Sequence, residues 1–187
     1  MKLSVQTRKL GTKGDVNKLR REGNIPGIIY SDAGAGTPIS LSKDEMKAVV
    51  RNLQQPGILA TTVFELNLGD KKQKVVVKDI QYHVVSYDIL HMDFALLSDD
   101  KQVSVNVPIT LDGKIDCVGL KLGGFMRQPV RTLKVSCLPK DIPQEFKVDI
   151  RDMNIGQSRT LSEIQIPSGV NPLAKMDLVF VVVGKKA

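Results

Sequence analysis

Leu3-Ser-Val-Gln-Thr-Arg8 sets an apolar side chain at every second position until Thr7 and Arg8, the period of a half-buried strand. A flexible basic turn, Gly11-Thr-Lys-Gly14, follows, and the spacing then changes. In Asp15-Val-Asn-Lys-Leu-Arg-Arg-Glu-Gly23, Val16 and Leu19 share one helical face; Asp15 is placed to cap the helix and Gly23 to end it. Lys18 and Arg21 fall on the opposite face, with Arg20 at its flank. Pro26 cannot continue a helix, so Gly27-Ile-Ile-Tyr30 is expected to form the next strand.

Residues 31–38 form a Gly-rich turn, and Ser42 opens a second helix with Met46, Val49, Val50 and Leu53 on its buried side. Pro56-Gly57 closes it. Three strands are expected at 62–68, 73–80 and 88–95, the first two joined as a hairpin at Gly69-Asp70. Asp99-Asp100-Lys101 is a polar break, and the chain is expected to divide into domains at 1–96 and 97–187. Beyond the break, strands are expected at 103–108, 134–137, 145–149 and 178–183, with a short helical or looped segment at 152–155. Frequent strands and few long helical patterns predict a mainly β, mostly antiparallel fold. The first half is expected to curl into a β-barrel carrying two short helices, followed by a second β-rich domain.

Composition supports that expectation. With no Trp, three Tyr and five Phe, the core has to be built from Val, Ile and Leu, and β-branched residues favour strands. The net charge of +7 points toward a polyanionic partner, and its distribution sharpens the point. Residues 1–30 hold seven Lys and Arg against two acids, whereas residues 98–187 hold thirteen against ten. A basic arm of this kind is the footprint expected of a phosphate-facing segment, and a solvated charged face is the alternative. No signal-peptide core and no span long enough for a bilayer occur, so a cytoplasmic protein without a membrane partner is expected. Cys117 and Cys137, twenty residues apart, read as a reduced pair.

Catalytic and cofactor constellations are missing. No Gly-x-Ser-x-Gly elbow occurs, and Gly119-Leu-Lys-Leu-Gly-Gly124 lacks the Gly-Lys-Ser/Thr ending of a phosphate loop and reads as a structural turn. His91 and Asp93 share a strand face, but no third or fourth ligand is evident for a metal. The expectation is therefore a non-catalytic protein with no cofactor and no small-molecule substrate. Gln81 also shares a strand face with His83. Gln81, His91 and Asp93 are suited to hydrogen-bond base edges or ribose hydroxyls, and Tyr30 to stack. Arg8, Lys13, Lys18 and Arg20 are suited to phosphates. From spacing alone, partly buried strand residues explain Tyr30 and His91 equally well.

The stretches Arg8-Lys-Leu-Gly-Thr-Lys13 and Leu19-Arg-Arg-Glu-Gly-Asn-Ile-Pro-Gly-Ile-Ile-Tyr30 resemble the start of the bacterial large-subunit ribosomal protein twenty-five family. Val77-Lys-Asp-Ile-Gln-Tyr-His83 and Ile89-Leu-His-Met-Asp-Phe94 fit it too. Gly119–Gly124, Cys137-Leu-Pro-Lys-Asp-Ile-Pro143 and Val148-Asp-Ile150 resemble the added domain of its long, general-stress form, known as Ctc. The resemblance implies a barrel that binds the loop E region of 5S rRNA beside neighbouring large-subunit components. By motif position it implies RNA contacts at Arg8, Lys13, Lys18, Arg20, Tyr30, Gln81, His91 and Asp93. Two departures stand out: Ser31 follows the Tyr where the family usually has Gly, and Tyr82 stands where it commonly has a positive residue. A stress-related protein–protein adaptor, with RNA binding secondary, is the competing expectation.

Overall fold

The computed structural model describes residues 1–9, 11–31, 36–53, 57–68 and 71–185. Six strands build the first half: β1 (Lys2–Thr7), β2 (Asn24–Tyr30), β3 (Gly36–Ser42), β4 (Val63–Leu68), β5 (Lys71–Tyr82) and β6 (Ile89–Leu96). They close into a barrel in the order β1-β3-β2-β6-β5-β4, and the parallel pairs β1/β4 and β2/β6 complete the ring. Alternate side chains, among them Leu3, Ile25, Ile39, Leu41, Phe64, Leu66, Met92 and Phe94, fill the interior.

β3 is absent from the sequence expectation, which gives residues 31–38 to a turn. Gly36 and Pro38 mask it, although Ile39 and Leu41 alternate as a strand requires. Pro38 and Pro26 are tolerated because each lies beyond the end of a ladder on one side. Pairing of β1 with β3 stops at Thr7–Ile39, and pairing of β2 with β6 starts at Gly27–Met92. The turn expected at Gly69-Asp70, the body of the 31–38 turn and Pro56 lie outside the described residues; β4 and β5 do pair antiparallel.

Helix α1 (Lys13–Arg21) begins earlier than the pattern indicates. Thr12, not Asp15, is its cap: the Asp15 carboxylate accepts from the Thr12 backbone N–H at 2.8 Å and from its hydroxyl at 2.9 Å. Those bonds, the backbone one foremost, hold the Asp15 carboxyl below its ordinary value. Helix α2 (Lys43–Asn52) starts after Ser42 as expected. Met46 is buried and Val49 and Leu53 partly so, but Val50 is exposed. Met46, Val49 and Leu53 make the covered stripe; Val50, four residues after Met46 and three before Leu53, lies on the flank opposite Val49 and turns toward solvent.

The second domain is also β-rich. One sheet runs β10 (Phe146–Asp149), β7 (Val103–Asp112), β9 (Thr132–Cys137), β12 (Val170–Pro172). The other runs β11 (Ser158–Thr160), β13 (Val179–Gly184), β8 (Phe125–Arg127). Val107, Leu133, Val135, Phe180, Val181 and Val183 are fully covered between them. Cys117 and Cys137 are buried there as free thiols, and burial pushes the Cys137 thiol up. Residues 152–155 are turn and loop, not helix. The Gly119–Gly124 stretch holds the short helix α3 (Val118–Lys121) against the sheet. A Cβ at Gly124 would meet the Gly119 carbonyl oxygen at 2.6 Å, so close backbone packing accounts for that glycine.

The two cores meet through β5 and β6. Val75, Val76 and Val77 are all buried, which a strand can achieve only when both its faces are covered. Val75 and Val77 point into the barrel, while Val76, with Ala95 and Leu97, packs in the core of the second domain. The Thr61 hydroxyl adds a bond to the Gln144 carbonyl at 2.9 Å.

Candidate nucleic-acid interface

Because Met92 and Phe94 point inward, His91 and Asp93 lie on the outside of the barrel. What stands beside them follows from register. Asp93 neighbours Ile28 of β2 on one side and Asp79 of β5 on the other, and His91 neighbours Gln81. Ile28 is in turn opposite Pro38 of β3, and the backbone N–H of Arg8 donates to the Pro38 carbonyl at 3.1 Å. One row of outward side chains therefore crosses the sheet from β1 to β5, and a shorter one, His91 beside Gln81, lies on β6 and β5.

A one-residue irregularity makes this alignment. Val77 is opposite Phe94, yet Asp79 is opposite Asp93, so Lys78 is an extra residue on β5. Strict alternation from Val77 would turn Asp79 and Gln81 inward; the bulge turns them out and Ile80 in. Lys78 itself lies over the Tyr30 ring, 5.5 Å from its centroid. Lys78 and Asp79 are members of the surface that spacing did not reveal. The signal that could have found them is Ile80, apolar at a position that alternation sends outside.

A second irregularity lies across the hairpin. Gln81 pairs with His91 and Tyr82 with Ile89, which leaves Leu90 out of the ladder. Its carbonyl accepts from Arg20 Nε at 3.2 Å and Nη2 at 3.0 Å, tying α1 to the barrel. Arg20 is thus partly buried and structurally engaged, and Arg8 Nε likewise donates to the Ile39 carbonyl at 3.1 Å. Lys13 and Lys18, by contrast, stand exposed on α1. Of the eight residues singled out from sequence, Tyr30, Gln81, His91 and Asp93 share the outward face, with Arg8 at its far edge. Arg20 anchors beside it, and Lys13 and Lys18 reach out from the helix. His83 does not join Gln81, because it has left the strand for the loop.

One buried acceptor is left unsatisfied among the described residues. Asp93 Oδ1 lies 2.9 Å from His91 Nδ1, but that approach lacks hydrogen-bond alignment, and the buried oxygen accepts from no donor. Asp79 directly opposite adds a like charge, an unfavourable cross-strand pair. A surface that places two carboxylates side by side among cations can take donors from a ligand: exocyclic amines or ribose hydroxyls.

At the hairpin tip, Asp88 Oδ2 meets Lys43 Nζ at 3.1 Å, a pairing that holds the Asp88 carboxyl below its usual 3.8. A depressed folded-state pKa stabilises above the unfolded value and ceases to do so as pH falls through the folded one. Hydrogen exchange at the tip amides of Val85, Ser86 and Tyr87 should therefore be slowest above about pH 4 and quicken below it, beyond the intrinsic pH dependence. Asp88→Asn should abolish that step; its persistence would assign the step to another group.

Among the described residues, no group of three or more His, Cys, Asp or Glu is placed to hold a metal, and no helix is long and apolar enough to cross a membrane. The arrangement is a polar outward surface on a closed barrel, flanked by a basic helix. A family model described as the Ribosomal L25p family matches residues 3–94, and one described as Ribosomal protein TL5, C-terminal domain, matches residues 102–187. Proteins named large ribosomal subunit protein bL25 from Chlamydia muridarum, Chlamydia pneumoniae and Chlamydia abortus are 38%, 37% and 39% identical over 186 residues, covering 100% of each chain. The chain belongs to the ribosomal L25p family, in its long form with the TL5-type second domain, and that family is structural rather than enzymatic.

Proposed function

We propose that the chain is a non-catalytic constituent of the large ribosomal subunit, ribosome-associated in the cytoplasm, that binds 5S rRNA at an irregular helix of the loop E type. The observation that carries the reading is the two-row polar face: Gln81 beside His91, Asp93 with an unused acceptor, and Tyr30 under Lys78. Ordinary A-form RNA hides its base edges in a deep, narrow groove, whereas an irregular helix exposes them to such a face. In this reading Gln81, His91 and Asp93 read base edges and riboses, and Tyr30 lies against the backbone or a base. Arg8, Lys13, Lys18 and Arg20 meet phosphates. The division of labour falls at residues 96 and 97, with RNA recognition confined to the barrel.

Binding of the full chain to a 5S rRNA loop E fragment, titrated at two salt concentrations against a plain duplex, tests this. Loop-selective binding that weakens with salt is expected. Lys18→Ala should cut the salt slope by about one unit while sparing selectivity, since an exposed phosphate contact carries no sequence information. His91→Ala should lower selectivity about tenfold or more with the slope unchanged. Equal binding by wild type and both variants sinks the reading.

A second reading, a stress-related protein–protein adaptor, is favoured by the second domain, where Ile115 is 90% exposed and Leu122 68% exposed near the half-exposed Phe125. Pull-down with the full chain and an Ile115→Ser, Leu122→Ser variant separates the two. Capture of only RNA-linked ribosomal proteins by both chains removes the adaptor.

A further inference from the structure

Beyond the row of Gln81 and His91, the β5–β6 hairpin ends in a tip, Tyr82-His-Val-Val-Ser-Tyr-Asp88, whose residues 82–87 are exposed. Val84 is 88% exposed, Val85 81% and Tyr87 78%. An exposed cluster of this size on a soluble domain marks a contact site.

The tip is nevertheless tightly organised. His83 Nδ1 accepts from the backbone N–H groups of Val85 at 3.3 Å and Ser86 at 3.1 Å, which puts the ring proton on Nε2. The His83 N–H donates to the Asp88 carbonyl at 2.8 Å, and the Tyr87 N–H to the His83 carbonyl at 3.0 Å. The Ser86 hydroxyl donates to the Asp88 carboxylate at 3.2 Å, which Lys43 in turn clamps to α2. Within this frame Tyr87 has φ of 55°, the one non-glycine residue among those described with positive φ. A bulky residue in the left-handed region is strained and persists only where its surroundings over-determine it. The loop thus spends stability to hold an aromatic ring out in solvent.

We propose that this tip is a second RNA contact, in which Tyr87 stacks on an unpaired base next to the helix seated on the Gln81–His91 row. The proposal rests on the RNA-binding reading above and extends it. Two observations and one general property of tyrosine favour RNA as the occupant. The tip continues the same two strands, about 7 Å per pair of residues past the polar row. Arg20 and the Asp88-paired Lys43 flank it, lining a cleft of about 190 Å³ with His83 and Asn24 and adding net positive charge beside the tip. A rigid tyrosine gives stacking area at little entropic cost, and stacking tolerates any base. Tyr82, in the place of a positive residue, fits the same exchange of phosphate attraction for stacking.

The test is titration of the full chain with intact 5S rRNA at two salt concentrations, beside thermal unfolding of each variant. Tyr87→Gly relieves the backbone strain, so it should be at least as stable as wild type yet bind about tenfold more weakly, with an unchanged salt slope. Tyr87→Phe should keep wild-type affinity, because stacking needs the ring and not the hydroxyl. Wild-type affinity in Tyr87→Gly, alongside weakened binding in Lys18→Ala, overturns the tip contact and leaves the parent reading standing. A loss that Tyr87→Phe fails to restore overturns stacking. Unchanged RNA affinity with reduced incorporation into large subunits overturns it in favour of a protein occupant. Absence of any preference of the wild type for 5S rRNA over plain duplex removes the parent reading itself.

Discussion

Phe94→Ala should destabilise the barrel by about 3–5 kcal/mol, the cost of deleting a large ring from a core that cannot collapse around the gap. Phe94 is fully buried, opposite Val77 on one side and beside Ile29 on the other, at the centre of a closed ring of strands. Closure is what makes the effect large: no free edge strand can move in to fill the void. Against a typical total of about 5–15 kcal/mol, such a loss leaves a marginal domain. Urea unfolding followed by tyrosine emission reads it cleanly, because Tyr30, Tyr82 and Tyr87 all lie in the first half and the chain has no Trp. RNA affinity should fall with it, since Asp93 adjoins Phe94 on the same strand. A loss under about 1 kcal/mol would contradict a barrel packed as described.

Arg20→Ala should reduce RNA affinity by more than any single exposed lysine, and for two reasons at once. The guanidinium holds α1 to the barrel through both bonds to the Leu90 carbonyl, and its Nη1 lies 3.4 Å from Asn17 Oδ1. Removal strands a partly buried carbonyl and loosens the helix that displays Lys13 and Lys18, costing about 1–3 kcal/mol of stability. Any phosphate contact is lost as well. The expected signature is a lower unfolding midpoint, affinity down about tenfold or more, and a salt slope reduced by more than one unit. Arg20→Lys keeps the charge but cannot reproduce the paired bonds from one planar group, so it should restore the salt slope more than the midpoint. An unchanged midpoint in Arg20→Ala would show that the helix is held by Val16 and Leu19 alone.

Much was legible before any coordinates. Alternation marked β1 as a half-buried strand, and helical spacing found the stripe of Met46, Val49 and Leu53, although it also assigned Val50, which is exposed. The basic arm, the Tyr30 and His-x-Asp positions and the membership of a ribosomal family could be read from residue identity. Local chemistry misled where two rules competed. Asp15 is a good capping residue, but Thr12 lies three positions before it, and the pair makes a reciprocal cap that starts the helix earlier. Pro38 and Gly36 are turn residues, yet they serve a strand whose ladder is incomplete on one side.

By itself, the sequence determined which residues are apolar, with what period, and where the positive charge is concentrated. These are properties of each residue and its near neighbours, and they suffice for a mainly β chain with a basic face. Tertiary structure decided which side chains meet. The bulge at Lys78 re-phases β5 so that Gln81 faces His91 and Asp79 faces Asp93. Register is a relation between strands distant in the chain, and a one-residue slip reverses every side chain beyond it. The second domain likewise covers Val76 and Ala95 on the very face that is open and polar two residues further along. Only the folded arrangement divides that face into a buried half and an open, polar half, because burial depends on what lies opposite.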